Sequence, residues 1–208
     1  MANHIYFSDF FHIDPNVLER YGALDISLLN DLPLFIDPFL IFCSKDPKCQ
    51  QMHDEIVKYI VYLRNFALDT EKPEMKHLRH YYCFPEVRQT YLGFCQHGNY
   101  GSGLGLDFAR ALHSGLRTCF SDFGKETITK GRHLEKVCLL KDGVGRDNIS
   151  DFITNLIKPY LCTYTEKFAN EYLIPEQCGF FAVDNCEFDY TLDIWRPHKN
   201  YLPKIIKE

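Results

Sequence analysis

The segment 142–151, DGVGRDNISD, brings acidic, basic and glycine residues together just before an apolar helical pattern. Asp147 and Asp151 are four residues apart, so on a helix they share one face. Together they could ligate one hard divalent cation, magnesium or manganese, through oxygen atoms. Arg146 could hold an anion beside them. The segment therefore predicts a metal-dependent site that acts on a phosphate group.

The same segment is also consistent with an ordinary helix start. Gly143 and Gly145 permit positive φ and a close approach of a ligand, and a helix that begins near Asn148 offers unpaired amide groups to a phosphate. In the structural alternative, Asp147 or Asn148 caps this helix, the second aspartate complements its dipole, and the glycines only form a turn. The sequence leaves both interpretations open.

A glycine-rich loop, residues 96–105, provides a second candidate phosphate site. Gly101 and Gly103 alternate with other residues just before a helical pattern, and their amides could face a phosphate. The spacing differs from the dinucleotide-binding fingerprint, however, and the lysine of the Walker motif is missing. A flexible loop with a glycine-rich helix entry is the alternative.

Two further acidic residues could add a carboxylate to the site. Asp37 interrupts the apolar run LPLFIDPFLIF, where an unpaired carboxylate would be costly to bury. Its alternative role is to cap a helix whose first residue is Pro38. Glu135 lies beside Lys136 on a predicted strand, as in metal nucleases that carry an acid and a lysine on one strand, but neighbours on a strand point to opposite faces.

Histidine and cysteine residues suggest zinc only weakly. His77, His80 and Cys83 precede Cys95 and His97, but neither a CxxC pair nor an HExxH motif is present. We therefore expect no zinc site and ordinary packing of these side chains. The nine cysteines are scattered, and we expect reduced, mostly buried thiols.

Composition restricts the possible partners and location. The 208 residues carry a formal charge of −5, so no general basic field draws in nucleic acid, and any such contact needs a local patch or a metal. The longest apolar run, 32–43, is too short to span a membrane and is interrupted by proline. Because no secretory signal pattern is present at the N-terminus, we expect a cytoplasmic protein without a membrane segment.

Hydrophobic periodicity predicts the elements that would position these residues. Helices are expected at 15–24, at 52–68, from about 75, over 104–116 and over 148–164, the last ending early at Pro159. Strands are expected at 91–95, 134–140 and 187–195, where EFDYTLDIW alternates cleanly. We therefore predict one mixed domain, α/β or α+β, over residues 1–208, with three or four helices packed on a small sheet. The tail RPHKNYLPKIIKE shows no closing element, so we expect either a longer natural protein or a tail that docks on a partner.

Three stretches carry a resemblance: LPLFIDPFLIF, the loop GSGLG before its helix, and GVGRDNISDFITNLI. Over residues 32–195 the chain resembles a group of bacterial proteins that are associated with mobile elements and defence loci and have no established activity. The resemblance implies a bacterial cytosolic defence component and names no reaction.

Two functional hypotheses follow. In the first, the protein acts on nucleic acid or nucleotide phosphates, for example by metal-dependent phosphodiester hydrolysis. Asp147 and Asp151 would then hold magnesium or manganese, Asp37 or Glu135 would add a carboxylate, and Arg146 would bind the phosphate. In the second, the protein is a non-enzymatic interaction or scaffold subunit of a defence or toxin complex, and its aromatic surface meets a partner chain.

Overall fold

The computed structural model describes residues 5–29, 32, 34–85, 104–118 and 145–205. This part of the chain contains eight α-helices and one two-stranded antiparallel sheet, so the fold is α+β, one of the two predicted classes. The helices are α1 (Phe7–Phe11), α2 (Pro15–Tyr21), α3 (Pro38–Cys43), α4 (Pro47–Asp69), α5 (Met75–Tyr81), α6 (Leu106–Thr118), α7 (Arg146–Leu156) and α8 (Lys158–Tyr172). The strands are β1 (Cys178–Asp189) and β2 (Ile194–Pro203).

The described residues belong to two compact units. The first contains α1, α2, α8, β1 and β2, and the second contains α3 to α7. The single domain expected over 1–208 stays a prediction.

Three helices begin with the same dipeptide, an aspartate followed by proline. The carboxylates of Asp14, Asp37 and Asp46 accept a hydrogen bond from the amide two residues later, at 3.0, 2.8 and 2.8 Å respectively. The proline that follows occupies the first helical position, where its missing amide hydrogen costs nothing. The expected cap at Asp37 is therefore confirmed.

The first unit is held together by aromatic side chains of α1, α2 and α8. The hydroxyl of Tyr21 donates to the carbonyl of Tyr164 at 2.8 Å, and the hydroxyl of Tyr164 donates to the carbonyl of Tyr21 at 2.9 Å. Phe168 packs edge-on against Tyr21 and Phe7. These reciprocal bonds satisfy two carbonyls and both phenol groups, and they fix α2 against α8.

The second unit is organised around α4, the helix expected over 52–68. Its buried face carries Ile56, Tyr59, Ile60, Leu63 and Ala67, spaced as an amphipathic helix requires. The expected leucines of α6 pack in the same core, where Leu112 and Leu116 are buried.

The pattern expected to form one strand over 187–195 forms a hairpin instead. The carboxylate of Asp189 accepts from the amides of Thr191 and Leu192 at 2.8 and 3.2 Å, and Asp193 adopts a left-handed conformation with φ 56°. The two ends of the alternating pattern therefore lie on different strands, and Phe188 pairs with Trp195 across the hairpin. The prediction was wrong because alternation continues through a short turn of this kind. The tail that was expected to lack a closing element forms β2.

Pro159 ends the long helix expected over 148–164. Helix α7 stops at Leu156 and α8 begins at Lys158, with proline as its second residue. The strands expected at 91–95 and 134–140 lie outside the described residues. Within the described ranges, no helix combines the length and the apolar character needed to cross a membrane.

Candidate functional site

Helix α7 carries the central residues of the predicted metal site. It begins at Arg146 with Gly145 as its N-cap, two residues earlier than expected, so neither Asp147 nor Asn148 is the cap. The side-chain oxygen of Asn148 instead accepts a hydrogen bond from the Gly145 amide at 2.9 Å. This is the return bond of a capping box, which satisfies a backbone donor at the helix start.

Asp147 and Asp151 both lie on α7, four residues apart and half-buried, as the prediction required. The guanidinium of Arg146 lies 6.0 Å from the ring centroid of Phe35. The chain before α3 also reaches α7, because the amide of Ile36 donates to the Ser150 hydroxyl at 2.9 Å. The start of α7 therefore combines two carboxylates with one arginine.

Asp37, the next residue after Ile36, is exposed, and its carboxylate caps α3. Among the described residues, no group of three or more histidine, cysteine, aspartate or glutamate side chains is placed to hold a metal ion. Glu135, Gly143, Gly101 and Gly103 lie outside the described residues. The predicted magnesium or manganese site and the two phosphate-binding loops stay predictions.

A second candidate site, which the sequence did not indicate, lies on the hairpin. Its register pairs Phe180 with Tyr201 and Ala182 with Lys199. The amide of Lys204 donates to the carbonyl of Gln177 at 2.8 Å, which extends the ladder by one hydrogen-bonded pair. Hydrogen-bonded and non-hydrogen-bonded pairs alternate along an antiparallel ladder. Residues 179, 181 and 183 therefore bond to β2, whereas Phe180 and Ala182 direct their backbone groups away from it.

We call the outward-facing backbone of residues 179–183 the β1 edge. No described residue accepts a hydrogen bond from the amides of Phe180 or Ala182. On the opposite side of the hairpin, Tyr201 faces outward in the same manner, but its amide donates to the carboxylate of Glu166 on α8 at 3.3 Å. Helix α8 thus satisfies the outer edge of β2 at Tyr201, while no described residue accepts from the two outward-facing donors of the β1 edge.

The two strands also differ in their content of charged residues and proline. Residues 178–183 of β1, CGFFAV, contain no charged residue and no proline, whereas residues 196–199 of β2 read RPHK. Charged side chains and proline are the usual features that prevent an exposed edge strand from pairing with another chain. The β1 edge lacks them.

Two aromatic side chains flank the β1 edge. Phe180 is 66% exposed and Phe181 is 41% exposed, and because they are neighbours on a strand they lie on opposite faces of the hairpin. Phe180 contacts the Tyr201 ring at 5.2 Å between centroids, and the Lys199 ammonium lies 5.3 Å from its centroid. The edge therefore combines backbone donors with an apolar contact surface on each face.

The β1 edge was missed because its signal depends on register. The segment CGFFAVDNCEFD does not alternate between apolar and polar residues, and most of the strand that pairs with it lies in the tail for which the sequence predicts no closing element. The local sequence feature that indicates this edge is the uncharged stretch 178–183, which precedes the aspartates of the turn.

No curated protein and no solved structure matches the chain. The model of one protein family, described as a domain of unknown function (DUF8370), matches residues 12–208. The matched region includes both helix α7 and the hairpin. The chain belongs to the DUF8370 family.

Proposed function

We propose that the chain is a non-enzymatic interaction module that binds an extended segment of a partner protein along the β1 edge. The observation that carries the proposal is the pair of outward-facing amides at Phe180 and Ala182, for which the described part of the chain provides no acceptor. An extended peptide can add to such an edge as a further strand, and main-chain hydrogen bonds then supply affinity.

The length and the side chains of the β1 edge determine which partner segment fits it. Five residues of strand span about 17 Å, so the bound segment is about five residues long. Its alternate side chains would contact Phe180 on one face of the extended sheet and Phe181 on the other. A bulge between Val183 and Glu187 interrupts the regular register and ends the edge. The preferred partner segment is therefore short, uncharged and rich in apolar or β-branched residues.

The chemistry of the β1 edge favours a protein partner over nucleic acid. Residues 178–183 contain no basic side chain, and Lys199 is the basic side chain in contact with Phe180. Nucleic-acid affinity depends largely on several lysine or arginine contacts to phosphates. The resemblance to defence proteins supports a partner within such a complex, and free rather than paired thiols at the six described cysteines support a cytoplasmic location.

Metal-dependent phosphodiester hydrolysis is the second candidate function. Its supporting observation is the pairing of Asp147 with Asp151 on one helix beside Arg146. Two carboxylates leave most of the coordination sphere of magnesium to water and substrate, which is common where the substrate is a phosphate. The proposal would need a further carboxylate to hold a second cation.

A peptide-display selection on the purified protein tests the interaction module. We expect enrichment of short extended apolar segments that bind the wild type and fail to bind Ala182→Pro, which removes an outward-facing donor that the hairpin does not use. Ala182→Ser keeps the amide and serves as the matched control. If the selected peptides bind Ala182→Pro as well as the wild type, the β1 edge is not the binding surface.

A cleavage assay tests the alternative on the same preparation. The protein is incubated with single- and double-stranded DNA and RNA, with magnesium or manganese and with a chelator. The interaction module predicts no metal-dependent product. A product that disappears with chelator and in Asp147→Ala would establish the hydrolase instead.

A further inference from the structure

The outward-facing backbone groups of the β1 edge are arranged symmetrically about one residue. Phe180 and Ala182 direct their amides and carbonyls away from β2, and Phe181 between them bonds to β2. In an interface with two-fold symmetry, a residue that faces a second residue of the other copy is itself faced by that residue in return. With the axis beside Phe181, Phe180 of each copy faces Ala182 of the other. Both outward donors of each copy then have a carbonyl acceptor.

The two ends of the β1 edge select this register over its neighbours. At one end, the amide of Cys178 already donates to the carbonyl of Pro175 and cannot bond to another chain. At the other end, the bulge interrupts the regular strand. A two-fold axis one residue to either side of Phe181 would place an outward-facing residue opposite Cys178 or opposite the bulge. The axis beside Phe181 therefore uses the outward donors of both copies completely.

The side chains of the β1 edge fit the same register. Phe181 would face Phe181 of the second copy at a non-hydrogen-bonded position, where opposite Cα atoms lie about 4.5 Å apart. Aromatic pairs at such positions stabilise a sheet. On the other face of the sheet, the exposed ring of Phe180 would lie beside the small side chain of Ala182 from the second copy. A large side chain thus meets a small one on this face, and the two exposed aromatic rings at position 181 meet on the other.

Charge also favours a second copy of the chain at this edge. Like charges that face each other across two strands destabilise the pair, and residues 178–183 carry no charge. Lys199 pairs with Ala182 from β2 and therefore lies one strand farther from the axis. The Lys199 strands of the two copies would be three strand spacings apart, roughly 14 Å, which exceeds the screening length of about 8 Å in physiological salt. Their mutual repulsion is therefore weak.

We propose that the β1 edges of two copies of the chain pair antiparallel about a two-fold axis beside Phe181, so that the two hairpins form one continuous sheet. This inference rests on the proposed function, because it assigns a second copy as a partner of the same edge. Segment 179–183 is itself short, uncharged and apolar, as the preferred partner segment is. Since β2 already holds it in an extended conformation, it loses little conformational freedom on binding.

The size of the paired surface makes this dimer weak. A fully buried phenylalanine covers roughly 150–250 Å², so the four partly exposed rings of Phe180 and Phe181 in the two copies add on the order of 400 Å². Specific and stable interfaces bury roughly 1,200–2,000 Å² in total, and two strands of five residues bring the sum only toward the lower limit. The β1 edge is accordingly open in dilute protein, and a partner segment that binds more tightly displaces the second copy.

Sedimentation velocity of the full chain over a range of protein concentrations tests the dimer. We expect a monomer in dilute protein and a fraction of dimer that grows as the concentration approaches the millimolar range. Ala182→Pro should stay monomeric, because proline removes one of the outward donors, and Ala182→Ser should dimerise as the wild type does. A monomer at every concentration would overturn the proposal, as would a dimer that Ala182→Pro leaves intact.

Cysteine substitution tests the register of the two strands. Opposite non-hydrogen-bonded positions fall within the Cα separation of roughly 4.4–6.8 Å that a disulfide spans. Under mild oxidation, Phe181→Cys should therefore form a covalent dimer in which peptide mapping links position 181 of one copy to position 181 of the other. Phe180→Cys is the matched control and should not link to itself, because it faces position 182. The wild type, treated in the same way, corrects for links through exposed native cysteines such as Cys43. A link at position 180 in place of position 181 would overturn the proposed axis.

A peptide obtained in the display selection separates failure of this inference from failure of the proposed function. Added to concentrated protein, the peptide should convert the dimer to monomer, because both occupy the β1 edge. A chain that binds the peptide in an Ala182-dependent manner but never dimerises would overturn the second copy and leave the proposed function standing. A dimer that persists with the peptide bound would overturn self-pairing at this edge. A chain that neither dimerises nor binds a peptide would overturn both.

Discussion

The carboxylate of Glu166 accepts a hydrogen bond from the amide of Tyr201 at 3.3 Å, so a side chain of α8 satisfies a backbone donor on the outer edge of β2. The opposite edge of the hairpin has no such contact among the described residues, because the amides of Phe180 and Ala182 face outward without an acceptor. Within the described part of the chain, the edge of β2 is thus covered at Tyr201 and the edge of β1 is not, so a further strand can add beside β1.

Loss of the Glu166 contact should weaken the first unit. Glu166→Ala should lower the free energy of unfolding by about 1 kcal/mol, the usual net contribution of a partly exposed hydrogen bond. The Tyr201 amide should also exchange its hydrogen faster. Urea unfolding and amide exchange measure the two effects, and the exposed Lys167→Ala serves as the control. Unchanged exchange at Tyr201 would show that Glu166 does not cover the edge of β2.

His113 should make the stability of the second unit depend on pH. Its Nε2 lies 2.9 Å from the Thr70 carbonyl and its Nδ1 lies 3.0 Å from the Tyr82 hydroxyl, and burial is the main cause that lowers its pKa. The unfolded chain then binds the proton more tightly than the folded chain does. The stabilisation is complete above about pH 6.5, the unperturbed pKa of histidine, and is lost as the pH falls below it.

Chemical unfolding between pH 7.5 and pH 5 measures this dependence. His113→Gln should be less stable than the wild type at pH 7.5 and should lose less stability on acidification. His198→Gln, at an exposed position on β2, should keep the slope of the wild type. Equal slopes for the wild type and His113→Gln would contradict the prediction.

The start of α7 should depend on Asn148 rather than on its aspartates. Asn148→Ala removes the acceptor for the Gly145 amide and should lower the free energy of unfolding by about 1 kcal/mol, the typical value for a helix cap. Asn148→Asp retains an acceptor and should restore most of this loss. Thermal melts compare the three proteins, and an unaffected Asn148→Ala would show that the capping bond is unimportant.

Divalent cations should have little effect on stability if the interaction module is correct. A ligand that binds only the folded state raises the melting temperature, and the rise grows with the logarithm of the ratio of its concentration to its Kd. With two carboxylates on α7 and no larger ligand group among the described residues, we expect millimolar magnesium or manganese to shift the melting temperature by less than about one degree. A larger shift that Asp147→Ala and Asp151→Ala both abolish would favour the metal-dependent alternative.

Features that depend on near neighbours in sequence could be predicted. The cap at Asp37 needs only the proline that follows it, and the buried face of α4 follows from apolar residues at helical spacing. The turn of the hairpin could not be separated from a continuous strand, because Asp189 bonds the amides of Thr191 and Leu192 without disturbing the alternation on either side.

The candidate sites also differ in whether they depend on residues that are near or far in sequence. Asp147 and Asp151 share a helix face because their spacing requires it, and this relationship was read from the sequence alone. The β1 edge depends on the pairing of residue 180 with residue 201. This pairing leaves no periodic signal, because it joins residues that are far apart in sequence.

Amide hydrogen exchange at residues 180–183 tests the binding role of the β1 edge most directly, in the free protein and with a bound peptide from the selection. In the free protein we expect fast exchange at Phe180 and Ala182 and slow exchange at Phe181 and Val183, which bond to β2. Peptide binding should slow exchange at Phe180 and Ala182 and leave the other two nearly unchanged. If binding protects all four amides equally, or protects none of them, the partner does not add as a strand to β1, and the proposed function is wrong.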